Sequence, residues 1–315
     1  MAARLRVVSD NDYSGDPDGL VQLAHLLLSA SVDVRAVIGS HLRPGDPFDP
    51  STQTATHARE AADRVVDLLG RTGQVVTVAG SEVGLVDRIT PIRSAGAEAI
   101  VSEAMRADER PLYVTLGAGL TELASAYLIE PRIAERLTAV WIGGPEHPGL
   151  AVAPPRVGGP EVSEYNLRID VTAAQVVFDS PITLWQVPRD AYRQTLMSSA
   201  ELDTRVRPHG AIGAHLVDAI DAVRAMAGTH GFDLGETYIL GDSPLVLLTA
   251  LQSAFEADPS SSRYVTLPAP RIDGEGRYLP RADGRPIRVY THLDVRLMID
   301  DLVAKLSLHA RGSIR

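Results

Sequence analysis

Short apolar runs alternate with amphipathic stretches along most of the chain, and this alternation predicts its secondary structure. Leu20, Leu23 and Leu27 recur at helical spacing after a first apolar run, which predicts a strand over 5–8 and a helix over about 18–29. Further strands are predicted at 34–38, 75–78, 112–116, 139–142, 182–187, 264–267 and 287–290. Further helices are predicted at 54–69, 97–106, 120–127, 171–178, 211–226, 245–254 and 294–308.

The order of these elements predicts the fold class. Strands that alternate with helices at this spacing favour a mostly parallel, Rossmann-like sheet with helices on both faces. No composition shift marks a boundary, so we expect a single α/β domain over residues 1–315. Ligands of such sheets gather beyond the carboxyl ends of the strands. The loop after the first strand and the turns at Gly117 and Gly143 would meet at that edge.

Four carboxylates fall within nine residues directly after the first predicted strand, at Asp10, Asp12, Asp16 and Asp18. Like charges this close raise one another's pKa, so a chain tolerates them only where solvent screens them or a cation or ligand attracts them. Hard cations such as Ca²⁺ bind carboxylate and carbonyl oxygens, typically about six to eight of them. Capping the following helix requires one aspartate, so capping leaves the other three unexplained.

The acidic loop also matches parts of two other motifs. Its spacing imitates the start of an EF-hand, but the twelfth position would be Val21, which cannot chelate. Haloacid-dehalogenase-like phosphatases also begin with a strand followed by two aspartates one residue apart. Those enzymes need a lysine and a later acidic pair, and the only lysine of this chain, Lys305, lies in the last predicted helix. The phosphatase stays an alternative in which an arginine would replace that lysine.

Composition excludes several classes of partner and chemistry. A net charge of -10 and a pI near 5.4 argue against nucleic acid or an anionic membrane as the main partner, because phosphate binding needs a basic face. The absence of cysteine excludes disulfides, thiolate metal sites and a cysteine nucleophile. No leader pattern and no run of about 18 apolar residues is found, so a cytoplasmic location is expected.

Five segments, in order along the chain, resemble motifs of the inosine-uridine-preferring nucleoside hydrolase family. The acidic loop resembles the family's Asp-x-Asp-Pro-Gly-x-Asp-Asp loop, and Asp242 resembles its late aspartate. Residues 119–133 resemble its Gly-Leu-Thr-Asn-Ile-Ala helix and the Pro-Arg-Ile turn that follows. Residues 141–144 resemble its Met-Gly-Gly strand end, and 163–170 its Ala-Glu-Phe-Asn segment.

The resemblance implies an enzyme that hydrolyses an N-glycosidic bond of a ribonucleoside or related ribosyl compound with the help of Ca²⁺. An oxocarbenium-like transition state is expected, attacked by a metal-bound water. By motif position, Asp12 would be metal ligand and general base, and Asp10 would support it. Asp242 and a backbone carbonyl near Leu116 would complete the metal site.

The resemblance also implies how the sugar is held and how the protein assembles. Either Asp16 or Asp18 would chelate the cation while the other binds ribose, because the loop is two or three residues longer than the family's. Glu164 and Asn166 would bind ribose hydroxyls. The family implies a homo-oligomer, a dimer or a tetramer.

The chain departs from the family where the leaving base is protonated. Many members carry a histidine just before the late aspartate, and this chain has Gly241. The family's His-Gly-Glu-Ser-Gly segment is also missing. His147, His41 or Tyr238 would be the substitute acids, and His147 is taken as a substrate-binding candidate. A catalytically weak ribose- or nucleoside-binding protein on the same fold is therefore the alternative function.

Overall fold

A computed structural model describes residues 3–153, 164–253, 255 and 260–314 of the 315-residue chain. Several predicted features lie partly outside these residues. They are the loop over 150–160, Ser163 of the family-like segment and Ala254 at the end of the helix predicted at 245–254.

The described residues form twelve strands. In chain order they are β1 (Leu5–Asn11), β2 (Val32–Gly39), β3 (Thr77–Ala79), β4 (Leu112–Leu116), β5 (Thr138–Ile142), β6 (Thr183–Val187), β7 (Leu196–Ser198), β8 (Thr237–Ile239), β9 (Arg263–Pro268), β10 (Arg271–Ile272), β11 (Tyr278–Leu279) and β12 (Pro286–His292).

Eleven α-helices are found in the same residues, with a 3-10 turn at Pro131–Glu135 and a π-helical turn at Leu202–Val206. The helices are α1 (Asp18–Leu27), α2 (Thr54–Leu68), α3 (Ala95–Ala104), α4 (Thr121–Ile129), α5 (Tyr165–Ile169), α6 (Val171–Asp179), α7 (Arg189–Tyr192), α8 (Ser199–Glu201), α9 (Gly210–Thr229), α10 (Pro244–Leu247) and α11 (Val295–Ala310). None of the described helices is both long enough and apolar enough to cross a membrane.

Eight strands form the main sheet in the order β3-β2-β1-β4-β5-β6-β12-β9. All neighbours run parallel except β9, which pairs antiparallel with β12. The chain builds outward from β1 through β2 to β3 and then crosses back to place β4 on the other side of β1. The strand order therefore reverses between β1 and β4, and such a switch point opens a crevice at the carboxyl ends of the strands.

Side chains of β1 alternate between the two faces of the sheet, as the period of a strand requires. Val8 packs in a buried cluster with residues of α3, α4 and α6, whereas Val7 packs on the α1 side with Leu26. A third cluster joins α1, α2 and α9 through residues such as Leu23 and Leu216. Helices cover both faces, so the predicted mostly parallel α/β fold is confirmed.

Several element boundaries differ from the prediction. β1 continues past Val8 to Asn11, which places Asp10 inside the sheet and not in a loop. The helix predicted over 245–254 is regular only through Leu247. Beyond that point the amide of Leu251 donates to the carbonyl of Val246, a wider turn than the α-helical one.

Candidate active site

A cleft of about 170 Å³, partly open to solvent, lies at the carboxyl ends of the central strands. Asp12 follows β1, Gly117 follows β4 and Ile142 ends β5, so the switch point of the sheet forms its floor. The cleft is lined by Asp12, Asp16, Asp18, Phe48, Gly117, Ile142, Glu164, Tyr165, Asn166, Tyr192, Ile239, Gly241 and Asp242.

Asp10 lies beneath the cleft, fully buried at the end of β1. Burial raises the pKa of this carboxyl well above its ordinary value, and the charge of Glu122 raises it further. One carboxyl oxygen accepts a hydrogen bond from the Ser40 hydroxyl, and the other has no hydrogen-bond partner among the described residues. Asp10 therefore does not line the cleft, and it contacts the floor from within the sheet.

Asn11 connects the first loop to a distant part of the chain. Its side-chain Nδ2 donates to Oδ2 of Asp242 at 2.8 Å, and its Oδ1 accepts from the backbone amide of Asp12 at 2.8 Å. A β-carbon at Gly117 would lie 2.4 Å from Asn11 Nδ2, and one at Gly19 would lie 3.0 Å from it. The two glycines therefore make room for this buried amide.

Asp12, Asp18 and Asp242 are buried close enough together to affect one another's ionisation. Burial raises the pKa of Asp12 well above its ordinary value, and Asp242 and Asp16 add to the effect. Burial is also the main reason that the pKa of Asp242 rises to about 8. Each carboxyl is thus more easily protonated than an exposed one, unless a cation compensates the charge.

Asp16 and Asp18 have different hydrogen-bond partners. Asp16 Oδ1 accepts from the Tyr238 hydroxyl at 2.8 Å and from the Asp18 amide at 3.3 Å. Asp18, the first residue of α1, accepts at Oδ2 from the backbone amide of Asp242 at 3.0 Å. Asp18 is therefore the carboxylate of the pair that is tied directly to the late aspartate.

Glu164 and Asn166 also line the cleft. Glu164 caps α5 by accepting from the amides of Asn166 and Leu167 at 3.2 and 2.9 Å. The same carboxylate accepts from the Gly144 amide at 2.7 Å and from the Tyr192 hydroxyl at 2.9 Å. Asn166 Nδ2 donates to two backbone carbonyls, which leaves its Oδ1 oxygen for a ligand.

The two candidate histidines lie away from the cleft. His147 is buried, with Nε2 at 2.8 Å from Gln186 Oε1 and its ring 4.9 Å from the Tyr278 ring between centroids. Nε2 of His41 lies 3.0 Å from the hydroxyl of Thr121. Neither imidazole lines the cleft. The Leu116 side chain is fully buried in the core at the end of β4, and only its backbone could face a ligand.

Sequence reasoning missed several residues of this site. Phe48 and Tyr192 line the cleft, and the charge of buried Asp46 adds to the rise in the pKa of Asp12. Phe48 and Asp46 lie in the Pro-rich segment between β2 and α2. That segment follows the carboxyl end of β2, which was the one available signal that its side chains would reach the site.

The donor set suits a hard cation. Carboxylate and carbonyl oxygens are the ligands that Ca²⁺ prefers, and the unpaired oxygen of Asp10 and the mutual repulsion around Asp12 indicate negative charge without a counter-ion. Within the described residues, no three acidic or histidine side chains are arranged to hold a metal ion as they stand. The chemistry of the residues therefore fits the cation, whereas their present side-chain positions do not form its coordination shell.

Solved structures share this architecture. The chain matches a purine-preferring ribonucleoside hydrolase from Gardnerella vaginalis with a TM-score of 0.70 and 17% identity, covering 98% of this chain and 99% of that one. It matches the inosine-uridine preferring nucleoside hydrolase of Bacillus anthracis with a TM-score of 0.67 and 17% identity, covering 96% and 99%. At such identity the likeness shows the fold alone, which is that of nucleoside hydrolases.

Sequence comparison establishes the family. The family model described as inosine-uridine preferring nucleoside hydrolase matches residues 7–296, and the chain belongs to this family. An inosine-uridine preferring nucleoside hydrolase of Leishmania major is 32% identical over 112 residues, 35% of this chain. That match spans 33% of the relative's length. The predicted family is therefore confirmed, and its class is that of hydrolases acting on N-glycosyl compounds.

Proposed function

We propose that the protein hydrolyses the N-glycosidic bond of a ribonucleoside or a related ribosyl compound in a Ca²⁺-dependent reaction. One observation carries this proposal. Asp12 and Asp242, 230 positions apart in sequence, are joined through Asn11 and share the same cleft at the switch point of the sheet. Family membership supplies the reaction class.

Asp12 is the general base of the proposed reaction. It lines the cleft, and burial raises its pKa, which strengthens a carboxylate as a proton acceptor for the attacking water. Asp10 lies beneath it, buried at the end of β1, and would support it from within the sheet. The transition state expected for this reaction is an oxocarbenium-like sugar. The product is ribose and the free leaving group.

The sugar is held by groups suited to a polyol. Glu164 is fixed by four hydrogen bonds, and Asn166 keeps one amide oxygen free of its two backbone contacts. Since Asp18 is tied to the Asp242 amide, we assign Asp18 to the metal side and Asp16 to a ribose hydroxyl. Such fixed groups position the anomeric carbon without further reorganisation.

The cation would be held by Asp12, Asp18, Asp242 and the backbone carbonyl of Leu116. When bound, it lowers the pKa of water and binds the sugar diol. Three carboxylates and one backbone carbonyl are enough protein ligands for such a site. Waters and ligand hydroxyls can supply the rest of the roughly six to eight oxygens that Ca²⁺ binds.

A catalytically weak ribose-binding protein is the second candidate. Gly241 lines the cleft where many family members carry the acid that protonates the base, and this observation favours binding without efficient turnover. The two candidate functions predict different results with p-nitrophenyl riboside, whose leaving group needs no protonation. Binding of ribose without turnover of this compound would favour the binding protein.

The decisive variant is Asp12→Ala, assayed with p-nitrophenyl riboside in the presence of Ca²⁺. We expect turnover to fall by at least about a thousandfold, since the base and a metal ligand are lost together. Asp283→Asn, at an exposed residue outside the cleft, is the matched control and keeps full activity. Full activity of Asp12→Ala would contradict the mechanism. The homo-oligomer, a dimer or a tetramer, and the cytoplasmic location stay predictions. Light scattering would measure the oligomeric state.

A further inference from the structure

Among the residues that the structure describes, no histidine, arginine or lysine lines the cleft as a proton donor to a departing base. All nine histidines belong to the part of the chain that the structure describes, and none of them lines the cleft. Arginine and lysine are likewise absent from its described lining. Residues 154–163, which the structure does not describe, contain no histidine, lysine or tyrosine, but they include Arg156 and Glu161. A neutral purine or pyrimidine leaves with difficulty unless it is protonated.

The tyrosine hydroxyls near the cleft do not fill this gap. Tyr192 donates its proton to Glu164, and Tyr238 donates its proton to Asp16. The hydroxyl oxygen of Tyr165 is buried, so this side chain presents its ring to the cleft. The acidic side chains of the lining are those already assigned to the water, the cation and the ribose.

Position 241 itself has little room for a substitute. A β-carbon on Gly241 would lie 3.1 Å from Asp18 Oδ2 and 3.4 Å from Tyr192 Cδ2. Tyr192 is held there by its hydrogen bond to Glu164. A side chain at position 241 would require the Asp18 carboxylate to shift by a few tenths of an ångström. A glycine at this position is compatible with a substrate that does not need the acid.

We infer that the preferred substrate is an N-ribosyl compound whose leaving nitrogen is already cationic, of the quaternary N-ribosylpyridinium class. This inference rests on the proposed function and specifies its leaving group. The C1′–N bond breaks, and its electron pair returns to the ring nitrogen, which leaves as a neutral heterocycle. Water adds its oxygen to C1′ and loses a proton to Asp12. No proton has to reach the leaving group.

The charges of the cleft suit a cation of this kind. Five carboxyl side chains line it, and one divalent cation would balance two of their five formal charges. Positive charge on the substrate is therefore favoured over a neutral leaving group by the Coulomb interaction. As the ring becomes neutral in the transition state, the positive charge moves onto the sugar, where Asp12 and Glu164 remain close.

Aromatic side chains supply a surface for the flat, charged ring. Phe48 and Tyr165 both line the cleft and pack edge to face, with ring centroids 6.5 Å apart. The Tyr165 ring already accepts one cation, the Arg43 guanidinium at 5.2 Å from its centroid. Arg43 is in turn paired with Asp46 at 2.8 Å, so its charge is balanced within the loop. Phe48 and Tyr192 are then the aromatic side chains of the described lining left to face a cationic ring, and the Tyr192 hydroxyl is bonded to Glu164.

Three substrates test the inference with the Ca²⁺-loaded protein. They are p-nitrophenyl riboside, the N-riboside of nicotinamide as the cationic probe, and inosine or uridine as neutral nucleosides. We expect the first two to be hydrolysed, and kcat/KM for the cationic probe to exceed that for the neutral nucleosides by at least about a hundredfold, the usual contribution of a general acid. Equal rates for the cationic and neutral nucleosides would overturn the inference.

The remaining outcomes separate the inference from the function on which it rests. Turnover of p-nitrophenyl riboside without turnover of the cationic probe would refute the leaving-group class and leave the ribosyl hydrolase intact. If neither compound were hydrolysed, the hydrolase itself would be refuted.

A second measurement isolates the effect of the substrate's positive charge on binding. The reduced, neutral dihydropyridine riboside has nearly the same shape as the cationic probe, and we expect it to inhibit p-nitrophenyl riboside hydrolysis at least tenfold more weakly. Phe48→Leu should narrow that difference, whereas Phe255→Leu, at an exposed phenylalanine outside the cleft lining, should not. Equal inhibition by the charged and neutral compounds would contradict the inference.

Discussion

The side-chain amide of Asn11 donates a hydrogen bond of 2.8 Å to the Asp242 carboxylate, 231 positions further along the chain. The same amide group accepts from the Asp12 backbone, so a single side chain sets the relation between the two aspartates. Both contacts are buried, where a lost partner leaves a desolvated polar group. Asn11 therefore positions the acidic site without lining the cleft.

Asn11→Ala should lower both stability and activity. Removing the amide leaves Asp242 and the Asp12 amide without this partner, at a cost of about 1–3 kcal/mol in the free energy of unfolding. We expect kcat/KM for p-nitrophenyl riboside to fall at least tenfold, because the two aspartates lose their fixed relation. Gln175→Ala, which removes a side-chain hydrogen bond to Ile272 far from the cleft, is the control. It should lose stability and keep its activity; an active, destabilised Asn11→Ala would show that positioning is not its role.

Calcium should stabilise the folded protein. The burial and mutual repulsion that raise the pKa of Asp12 and Asp18 are relieved by a cation that binds the folded state only. Such a ligand adds about 2.7 kcal/mol to the free energy of unfolding at a hundred times its Kd. Thermal unfolding with and without Ca²⁺ measures this shift. Asp242→Asn should lose most of it and Asp283→Asn none; a melting temperature independent of Ca²⁺ would refute the metal site.

The acidic loop could be predicted from sequence because its carboxylates are close together in the chain. Asp242 could be predicted because it belongs to a family-like motif. Four carboxylates in nine residues are unusual wherever they occur, and Asp242 was located by the order of the family-like segments. The hydrogen bond between Asn11 and Asp242 could not be predicted, because it depends on the tertiary placement of Asp242 beside the end of β1. Helical and strand periodicity carry no information on contacts between residues this far apart in sequence.

Other parts of the site depend on packing that sequence patterns do not contain. The helix α5 has five residues, and β7 and β8 have three each, too short for a period to be counted. Phe48 reaches the cleft through an irregular Pro-rich loop, where neither helical nor strand spacing applies. The place of His147 after Gly144 predicts a site residue, and in the structure its ring contacts Gln186 and Tyr278 and is not part of the described cleft lining.

Glu164→Gln should separate sugar binding from helix capping. The amide oxygen of glutamine can still accept from the Leu167 backbone, whereas the amide nitrogen cannot accept from the Asn166 backbone, so we expect about 1–2 kcal/mol of lost stability. The negative charge that would bind a ribose hydroxyl is lost, and KM should rise about tenfold with a smaller change in kcat. Asp294→Asn makes the matching change at the N-cap of α11. If both variants left KM unchanged, Glu164 would be a structural cap only.

A buried histidine, His25, should make a contribution to stability that is lost in mild acid. His25 Nε2 lies 2.7 Å from Asp301, whose carboxylate also pairs with Lys305. Burial lowers the pKa of His25 below its ordinary value of 6.5, and Lys305 lowers it further. The unfolded chain therefore binds the proton first as the pH falls, and the stabilisation that is complete above about pH 6.5 is lost between that value and the lower folded-state pKa.

The slope from this one group cannot exceed about 1.4 kcal/mol per pH unit. Chemical denaturation at pH 7 and pH 5 should be compared between the native protein and His25→Gln, which keeps a hydrogen-bond donor toward Asp301. Protonation of the buried aspartates, whose pKa is raised, favours the folded state in both proteins, so the difference between them isolates His25. On going from pH 7 to pH 5, the stability of the native protein relative to that of the variant should fall. His57 provides the opposite control: its hydrogen bond to Asp49 raises its pKa, so protonation favours the folded state, and His57→Gln should leave the acid loss at least as large. An identical pH dependence in the native protein and in His25→Gln would show that His25 does not titrate in this range.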